Sequence, residues 1–249
     1  NDLDNLEQFL SEHRGEYARV LIATDGLFSM DGDLTDLPRL LDIKEKHDAW
    51  LLLDEAHSYG VLGQTGRGLC EHCGVDPKRV ELTVGTLSKS FASSGGFIAA
   101  EGDVIEWLRF TLPGFVFSVG LPPATIASAH AALDKRQHEP WRVTRLRNNS
   151  QYFMKAANAA GLSTGDAVGE AVVPILFDNP EECVFVAEAL MESGVYAPPV
   201  VHVGIPKDAP RIRFFISASH STADLDRVIK RVSEALALCR RDDDRISAE

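Results

Sequence analysis

The 249-residue sequence has no apolar run near the roughly 18–20 residues that a membrane-spanning helix needs. Its first residues, NDLDNLEQFLSEH, lack the apolar core of a secretory signal peptide, so we expect a cytoplasmic protein. Basic residues are also scarce, since 25 lysines and arginines stand against 37 aspartates and glutamates. The resulting net charge of −12 argues against nucleic acid or an anionic membrane as the main partner. A few well-placed groups can still bind a small anion.

Cysteine is rare as well, with four in the chain. Cys70 and Cys73 form a CEHC stretch that resembles half of a zinc site, but no second CxxC or HxxxH motif completes it. We therefore predict no metal site and expect reduced, structural cysteines. The sequence also has no GxGxxG or Walker-type loop, which argues against an unrelated nucleotide-binding domain.

What the sequence does contain is an alternation of strand-length apolar runs and helical patterns. The runs at 18–24, 49–56, 80–86 and 95–100 predict strands of one sheet. The first two runs are continuous, as expected for strands buried on both faces of a parallel sheet. Apolar residues near helical spacing at 36–47 predict a helix between them, which makes a right-handed βαβ unit. Further helices are predicted at the N-terminus, at 103–112 and at 122–136.

The second half of the chain has a different pattern. A long helix with a polar face is predicted over 136–161. It is followed by a strand at 171–177, a helix at 180–194, a strand at 211–217 and a helix at 222–240. This order predicts a smaller α+β domain. We place the boundary near residue 140, so that 1–140 form one domain and 141–249 the other.

Polar residues follow two of the predicted strands where each strand ends. Asp54 follows three leucines in LLLDEAHSYG (51–60), and Lys89 lies in the hydroxyl-rich stretch TVGTLSKSFASSGG (83–96). If the two strands are parallel, both side chains emerge at the edge of the sheet where ligands bind in open α/β folds. Alone, Asp54 could simply cap a following helix, and His57 would more often be a structural histidine.

The hydroxyl groups around Lys89 suggest a phosphate. Thr86, Ser88 and Ser90 can all donate to phosphate oxygens. A carboxylate, an imidazole, a lysine and hydroxyls at one sheet edge suit pyridoxal phosphate, because the lysine can form a Schiff base and the carboxylate can keep the pyridine nitrogen protonated. The sequence therefore predicts a pyridoxal phosphate site at this edge.

Four stretches, in this order, resemble the α-oxoamine synthases, a branch of the fold-type-I pyridoxal-phosphate enzymes that includes 8-amino-7-oxononanoate synthase and serine palmitoyltransferase. They are TDGLFSMDGDLTDLP (24–38), LLLDEAHSYGVLGQTGRG (51–68), GTLSKSFASSGGFIAA (85–100) and RIRFFISASHS (211–221). The resemblance implies an α/β fold with a mostly parallel sheet, flanking helices and a smaller C-terminal α+β domain. It also implies that the chain is the C-terminal portion of such an enzyme, with the N-terminal part of the large pyridoxal-phosphate-binding domain missing.

The resemblance assigns the catalytic residues. Lys89 would be the Schiff-base lysine, and Asp54 would pair with the pyridinium nitrogen of the cofactor. His57 would hydrogen-bond the phenolic oxygen of the ring and could help to polarise a substrate carbonyl.

The resemblance also assigns the binding residues. Thr86 and Ser88 would contact the cofactor phosphate, and Ser29 would lie close to the ring. Arg213, the second arginine of RIRF, would bind the substrate carboxylate through a bidentate pair. Without the resemblance, Arg213 would be interpreted as an outward residue on an exposed strand face. The chain departs from its relatives at Val119–Gly120, where a small hydroxyl residue is usual.

The implied reaction is a decarboxylative condensation of a small L-amino acid with an acyl thioester, carried by CoA or an acyl-carrier protein. Its products are an α-aminoketone and CO₂, and a homodimer with the site at the interface is implied. One alternative is an aminotransferase on the same fold, which needs no thioester. Another is a non-catalytic subunit like those of serine palmitoyltransferase, although such subunits are expected to lack the lysine that Lys89 provides.

Overall fold

The computed structural model describes residues 1–202, 204–206 and 209–246. It divides into two compact units. Unit 1 comprises Asn1–Phe28 and Leu34–Val143, and unit 2 comprises Ser29–Asp33 and the chain from Thr144 onward. The division falls three residues beyond the boundary set from the sequence at 140. In the described part of the chain, no helix is both long enough and apolar enough to cross a membrane.

Unit 1 is built on a four-stranded sheet of order β1-β2-β3-β4. Its strands are β1 (Leu21–Asp25), β2 (Trp50–Asp54), β3 (Leu82–Thr86) and β4 (Gly96–Ala99). The first three are parallel, and β4 is antiparallel to β3. Its helices are α1 (Leu3–His13), α2 (Leu37–Lys46), α3 (Leu69–Cys73), α4 (Gly102–Thr111), α5 (Pro113–Val116) and α6 (Pro123–His138). The predicted strands and helices of this half are confirmed, with ends that shift by up to three residues.

Helix α2 shows how the sequence sets up the crossover between the first two strands. The Asp36 side chain accepts a hydrogen bond from Arg39 N–H at 3.2 Å and so caps the helix, and Pro38 stands in its first turn. Leucines of α2 are buried, as are Leu51 and Leu53 of β2. These side chains form the core that fixes the carboxyl end of β2.

The first two strands are not buried on both faces, so that prediction was wrong. No residue of β1 is buried, and Leu21 is 53% exposed. In β2 only Leu51 and Leu53 are buried, while Trp50 is 45% exposed. The reason is that β1 pairs with β2 alone among the described strands, and one face of β2 lacks a full cover.

Unit 2 contains a three-stranded antiparallel sheet of order β5-β7-β6. Its strands are β5 (Val172–Leu176), β6 (Pro199–Val200) and β7 (Arg211–Phe215). The helices are α7 (Trp141–Ala159), α8 (Pro180–Glu192) and α9 (Thr222–Ile246). One buried cluster joins the sheet to these helices through residues such as Phe153, Ile175 and Leu190. The smaller α+β unit predicted from the sequence is present, although the short strand β6 was missed.

The predicted single helix over 136–161 is two helices in the structure. Helix α6 ends at His138 and α7 begins at Trp141. Glu139 leaves the helical conformation, with φ −124° and ψ 57°. The cause is Pro140, because the residue before a proline is disfavoured in the helical region.

Candidate active site

The candidate site lies at the carboxyl end of the unit 1 sheet, where β2 and β3 finish side by side. Asp54 is the last residue of β2 and stands opposite Val84 of β3. Pairing continues for one more residue, because Glu55 N–H donates to the Val84 carbonyl at 2.8 Å. The polar segments that follow these strands, starting at Asp54 and Thr86, therefore leave the sheet at one edge.

Asp54 is half-buried and begins a turn rather than a helix. Its Oδ1 accepts a hydrogen bond from Ala56 N–H at 2.8 Å, and residues 55–68 contain no helix. Asp54 therefore does not act as the helix cap that was considered from the sequence. His57, also half-buried, lies within the turn that Asp54 opens. We call residues 56–60 the His57 turn.

Lys89 lies in an exposed loop directly after β3. Thr86 Oγ1 and Ser88 Oγ are 2.7 Å apart, and Ser88 N–H donates to Thr86 Oγ1 at 3.2 Å. Ala92 N–H donates to the Lys89 carbonyl at 3.0 Å, which closes a turn on the lysine. Two hydroxyl groups and the exposed lysine are thus presented together by one short segment, the Lys89 loop (residues 86–95).

The His57 turn and the Lys89 loop pack against each other. Gly60 has φ +81°, and a Cβ placed on it would lie 2.6 Å from the Cβ of Ser90. Nearby, the rings of Tyr59 and Phe97 meet edge to face with centroids 5.5 Å apart. The glycine is required because the two loops approach too closely for a side chain. Unit 1 thereby brings the segments that carry Asp54, His57 and Lys89 to the same sheet edge.

Sequence reasoning missed Glu55, which follows Asp54 directly. Glu55 is 2% exposed, and its carboxyl oxygens accept hydrogen bonds from Leu69 N–H at 2.9 and 3.1 Å. Burial raises the pKa of Glu55 to about 7. The available signal was a second carboxylate in the DEAHS stretch, but the sequence does not show which of two adjacent carboxylates is buried.

Unit 2 holds the other two predicted residues, Ser29 and Arg213, and brings them together. An Arg213 terminal N–H donates to the Ser29 carbonyl at 2.8 Å, and the guanidinium carbon lies 5.1 Å from the centre of the Phe215 ring. Among the described residues, Arg213 Nε is buried without a hydrogen-bond partner. Burial, reinforced by the charge of Arg211, lowers the pKa of Arg213.

The neighbouring arginine of the RIRF stretch is already engaged. Arg211 is buried, forms an ion pair with Asp31 and donates to the Ala209 carbonyl at 3.1 Å. The two arginines of this strand therefore differ. Arg211 is a structural residue of unit 2, whereas the buried Nε of Arg213 has no hydrogen-bond partner among the described residues.

The groups at the unit 1 edge suit the chemistry of pyridoxal phosphate. A primary amine is needed for the covalent bond, hydroxyl and backbone donors for the phosphate, and a carboxylate for the ring nitrogen. The exposed Lys89, the adjacent Thr86 and Ser88 hydroxyls and the half-buried Asp54 supply each of them. The residues present therefore fit this cofactor.

Comparison with known proteins identifies the family. Residues 1–232 match the family model described as aminotransferase class I and II. The chain is 38% identical over 232 residues to a serine palmitoyltransferase of Sphingobacterium spiritivorum, which covers 93% of this chain and 57% of the relative. It is 37% identical over 228 residues to an 8-amino-7-oxononanoate synthase of Symbiobacterium thermophilum, covering 92% of this chain and 58% of the relative. The chain thus spans somewhat less than two thirds of these relatives.

The fold is also that of a solved relative. A serine palmitoyltransferase variant from S. paucimobilis, solved with a bound PLP–myriocin aldimine, superimposes with a TM-score of 0.86. The two are 26% identical, and the match covers 94% of this chain and 59% of that one. The predicted fold-type-I transferase architecture is therefore confirmed. The chain belongs to the class I and II aminotransferase family, and its relatives are the α-oxoamine synthases that the sequence motifs resemble.

Proposed function

We propose that the chain carries catalytic residues of an α-oxoamine synthase, which condenses a small L-amino acid with an acyl thioester and releases CO₂ to give an α-aminoketone. The observation that carries the proposal is the packing of the His57 turn against the Lys89 loop at the edge where Asp54 ends β2. The relatives named serine palmitoyltransferase and 8-amino-7-oxononanoate synthase support this reaction class.

The cofactor is pyridoxal 5′-phosphate, which when bound supplies an electron sink for negative charge at the α-carbon of the amino acid. In our proposal Lys89 Nζ makes the covalent bond to the cofactor, and Asp54 pairs with the ring nitrogen. His57 hydrogen-bonds the phenolic oxygen. Thr86 and Ser88 donate to the phosphate, a role that their 2.7 Å hydroxyl pair supports because both oxygens point to one place.

Two residues of unit 1 also handle the substrates. The Lys89 amine would take the α-proton of the amino acid whenever it is not bonded to the cofactor. His57 is proposed to donate a hydrogen bond to the thioester carbonyl, which favours attack on that carbon.

Arg213 is proposed to bind the carboxylate of the amino acid. The Ser29 carbonyl fixes one terminal N–H of its guanidinium, and the buried Nε has no described partner. A guanidinium that is held in place and has an N–H group without a partner is well suited to donate to a carboxylate in a charge-assisted pair. Ser29 is proposed to contact the cofactor ring.

The proposed assembly is a homodimer with the site at the interface. Unit 1 exposes several large apolar side chains on α4 and in the segment after α5. Phe117 and Val119 are 87% and 93% exposed, and Trp107 and Phe110 are exposed as well. Large apolar side chains exposed in this number are expected to be covered by another protein surface, and we propose that a second copy covers them.

Substitution of Lys89 by alanine tests the proposed function most directly. The unmodified protein with pyridoxal phosphate should show a visible absorption band that Lys89→Ala lacks, because no other group forms the covalent bond. Lys78→Ala, an exposed lysine of the same unit, is the matched control and should keep the band. A band that survives in Lys89→Ala would contradict the assignment.

Release of CO₂ separates the condensation from transamination. With a carboxyl-labelled amino acid, CO₂ should appear only when an acyl thioester is added, and Lys89→Ala should release none. Conversion of the amino acid to its oxo acid without a thioester would instead support the aminotransferase alternative.

A further inference from the structure

Glu55 lies between Asp54 and His57, yet its side chain is buried at 2% exposure. Its carboxyl group accepts hydrogen bonds from Leu69 N–H, at 2.9 Å through Oε1 and 3.1 Å through Oε2. Leu69 is the first residue of α3. The side chain therefore links the end of β2 to the start of α3, across a loop of 13 intervening residues (56–68).

The backbone of Glu55 fixes the near end of the same loop. Its carbonyl accepts hydrogen bonds from Ser58 N–H and Tyr59 N–H, both at 3.0 Å. These two bonds close the His57 turn. One residue thus fixes the turn that carries His57 through its carbonyl and the far end of the loop through its carboxyl group.

Two glycines leave room for the carboxyl group. A Cβ on Gly68 would lie 2.6 Å from Glu55 Oε1. A Cβ on Gly26 would lie 3.0 Å from Glu55 Oε2 and 2.6 Å from the Ser58 hydroxyl. Since real Cβ atoms do not approach this closely, any side chain at either glycine would displace Glu55. The two glycines therefore leave the space that the Glu55 carboxyl group occupies.

The surroundings of Glu55 favour its uncharged form. Among the described residues no cation forms an ion pair with it, and the titratable groups that act on it or feel its charge are Asp54, Tyr59, Cys70 and Cys73. Burial raises the pKa of Glu55 to about 7, and the charge of Asp54 acts in the same direction. The nearby Ser58 hydroxyl and the hydrogen bond from Leu69 N–H oppose this rise in the pKa of Glu55 but do not cancel it.

We propose that Glu55 is a positioning residue for the cofactor site, whose carboxyl group fixes the loop that carries the His57 turn to the start of α3, beside the proposed cofactor contacts Asp54 and His57. The proposal rests on the proposed function, because Asp54 and His57 matter here as cofactor contacts. It goes further in giving a role to the second carboxylate of the DEAHS stretch.

The pH dependence of loop closure follows from the pKa of Glu55 in the two states of the loop, open and closed. In an open or unfolded state Glu55 ionises near 4.5, and in the closed state near 7. The closed state therefore binds the proton more tightly and weakens relative to the open state as the pH rises from about 4.5 to about 7. Above pH 7 both states are ionised, and the closed state should show no further loss.

Amide hydrogen exchange of residues 56–69 in the cofactor-free protein tests whether Glu55 fixes this loop. Glu55→Gln keeps a carbonyl for Leu69 N–H and cannot ionise. The exchange rate in the unmodified protein, divided by the rate in Glu55→Gln, should rise at least about 10-fold between pH 5 and pH 8, since one pKa unit corresponds to a factor of ten. A ratio that stays constant over this range would overturn the proposal.

Glu71→Gln is the matched control, because Glu71 is the other carboxylate that fixes this loop. It accepts hydrogen bonds from Thr65 Oγ1 at 2.7 Å and from Arg67 N–H at 2.9 Å. Although burial acts to raise it, these bonds hold the pKa of Glu71 below its usual value. Its carboxylate stays ionised from pH 5 to pH 8, so the corresponding exchange ratio for Glu71→Gln should not change with pH.

Cofactor affinity then tests the link to the site. At pH 8 Glu55→Gln should bind pyridoxal phosphate at least as tightly as the unmodified protein, and Glu55→Ala should bind about 10-fold more weakly. Equal weakening in both variants would overturn the positioning role, since the uncharged amide would then fail to replace the acid. If the unmodified protein binds no cofactor at any pH, the proposed function itself fails, whereas the exchange ratio still decides whether Glu55 fixes the loop.

Discussion

Strands β2 and β5 are both short apolar strands, and they differ in how their side chains are covered. The sequence of β2 is WLLLD and that of β5 is VVPIL. The first four residues of β5 are buried. In β2 only Leu51 and Leu53 are buried, and the strand ends on the half-buried Asp54. The sheet of unit 2 is covered by apolar side chains of its own helices, including Phe153 of α7. In unit 1 the buried leucines of α2 and β2 cover one face of β2 only.

The difference shows where each unit places its polar chemistry. Unit 2 gains stability from a closed apolar cluster, and its strand β5 ends on Leu176 rather than on an ionisable residue. Unit 1 leaves the carboxyl edge of its sheet open and holds its loops there with hydrogen bonds and glycines instead. Substitutions in the unit 2 core should therefore cost stability, while removal of a polar group at the unit 1 edge should cost binding.

The largest expected effect is that of Phe153→Ala in unit 2. Phe153 is fully buried, and its ring centre lies 5.1 Å from that of Phe214. Its removal leaves a cavity, so the free energy of unfolding should fall by about 3–5 kcal/mol, as measured by urea denaturation. Phe117→Ala, at an 87% exposed position of unit 1, should change stability by less than about 0.5 kcal/mol. Similar losses of stability in both variants would contradict the proposed difference between the two units.

Gly68→Ala tests whether the unit 1 edge is held by close backbone approach. Gly68 has φ +93°, and a Cβ there would meet the Glu55 carboxyl group. In Gly68→Ala the free energy of unfolding, measured by urea denaturation, should fall by about 2–3 kcal/mol, because backbone strain and the collision with Glu55 act together. Gly74→Ala is the matched control, because Gly74 has φ +65° but nothing within 4 Å of an added Cβ. In Gly74→Ala the free energy of unfolding should fall by only about 1 kcal/mol, which is the cost of the left-handed conformation. Equal losses would mean that the collision with Glu55 is relieved at no cost.

Association of two copies should depend on the apolar surface of unit 1. Trp107→Ser removes a large exposed side chain of α4 and should weaken the proposed dimer at least about 10-fold, because exposed aromatic residues dominate such contacts. Sedimentation equilibrium measures the change. Tyr196→Ser, a similarly exposed aromatic residue of unit 2, is the control and should leave association unchanged. A protein that is monomeric at every concentration would contradict the dimer proposal.

The same comparison explains what the sequence could predict. The positions of the strands, and the exit of Asp54 and the Lys89 loop at one edge of the sheet, follow from local patterns, since parallel strands present their carboxyl ends at one edge. The assignment of Ser29–Asp33 to unit 2 could not be predicted, because it depends on contacts such as that of Ser29 with Arg213, 184 residues away. Burial is equally non-local, which is why the apolar run of β1 did not reveal that the strand lacks a cover.

The smallest expected effect is that of one hydroxyl group, removed in turn from each unit. Thr86 Oγ1 accepts a hydrogen bond from Ser88 N–H at 3.2 Å at the unit 1 edge. In unit 2 the buried Thr164 Oγ1 donates to Asn158 Oδ1 at 3.2 Å. Replacement by valine keeps the shape of the side chain and removes one hydrogen-bonding group from each site.

The two valine variants should nonetheless differ in what they lose. Thr86→Val should weaken binding of pyridoxal phosphate about 5–10-fold with little change in unfolding, because its hydroxyl is proposed to face the phosphate. Thr164→Val should lower the free energy of unfolding by about 1 kcal/mol and leave cofactor affinity unchanged. Cofactor titration and urea denaturation of both variants measure the two effects. A loss of stability without a loss of affinity in Thr86→Val would mean that this hydroxyl only holds the Lys89 loop, and the phosphate would then have to be bound by other groups of that loop.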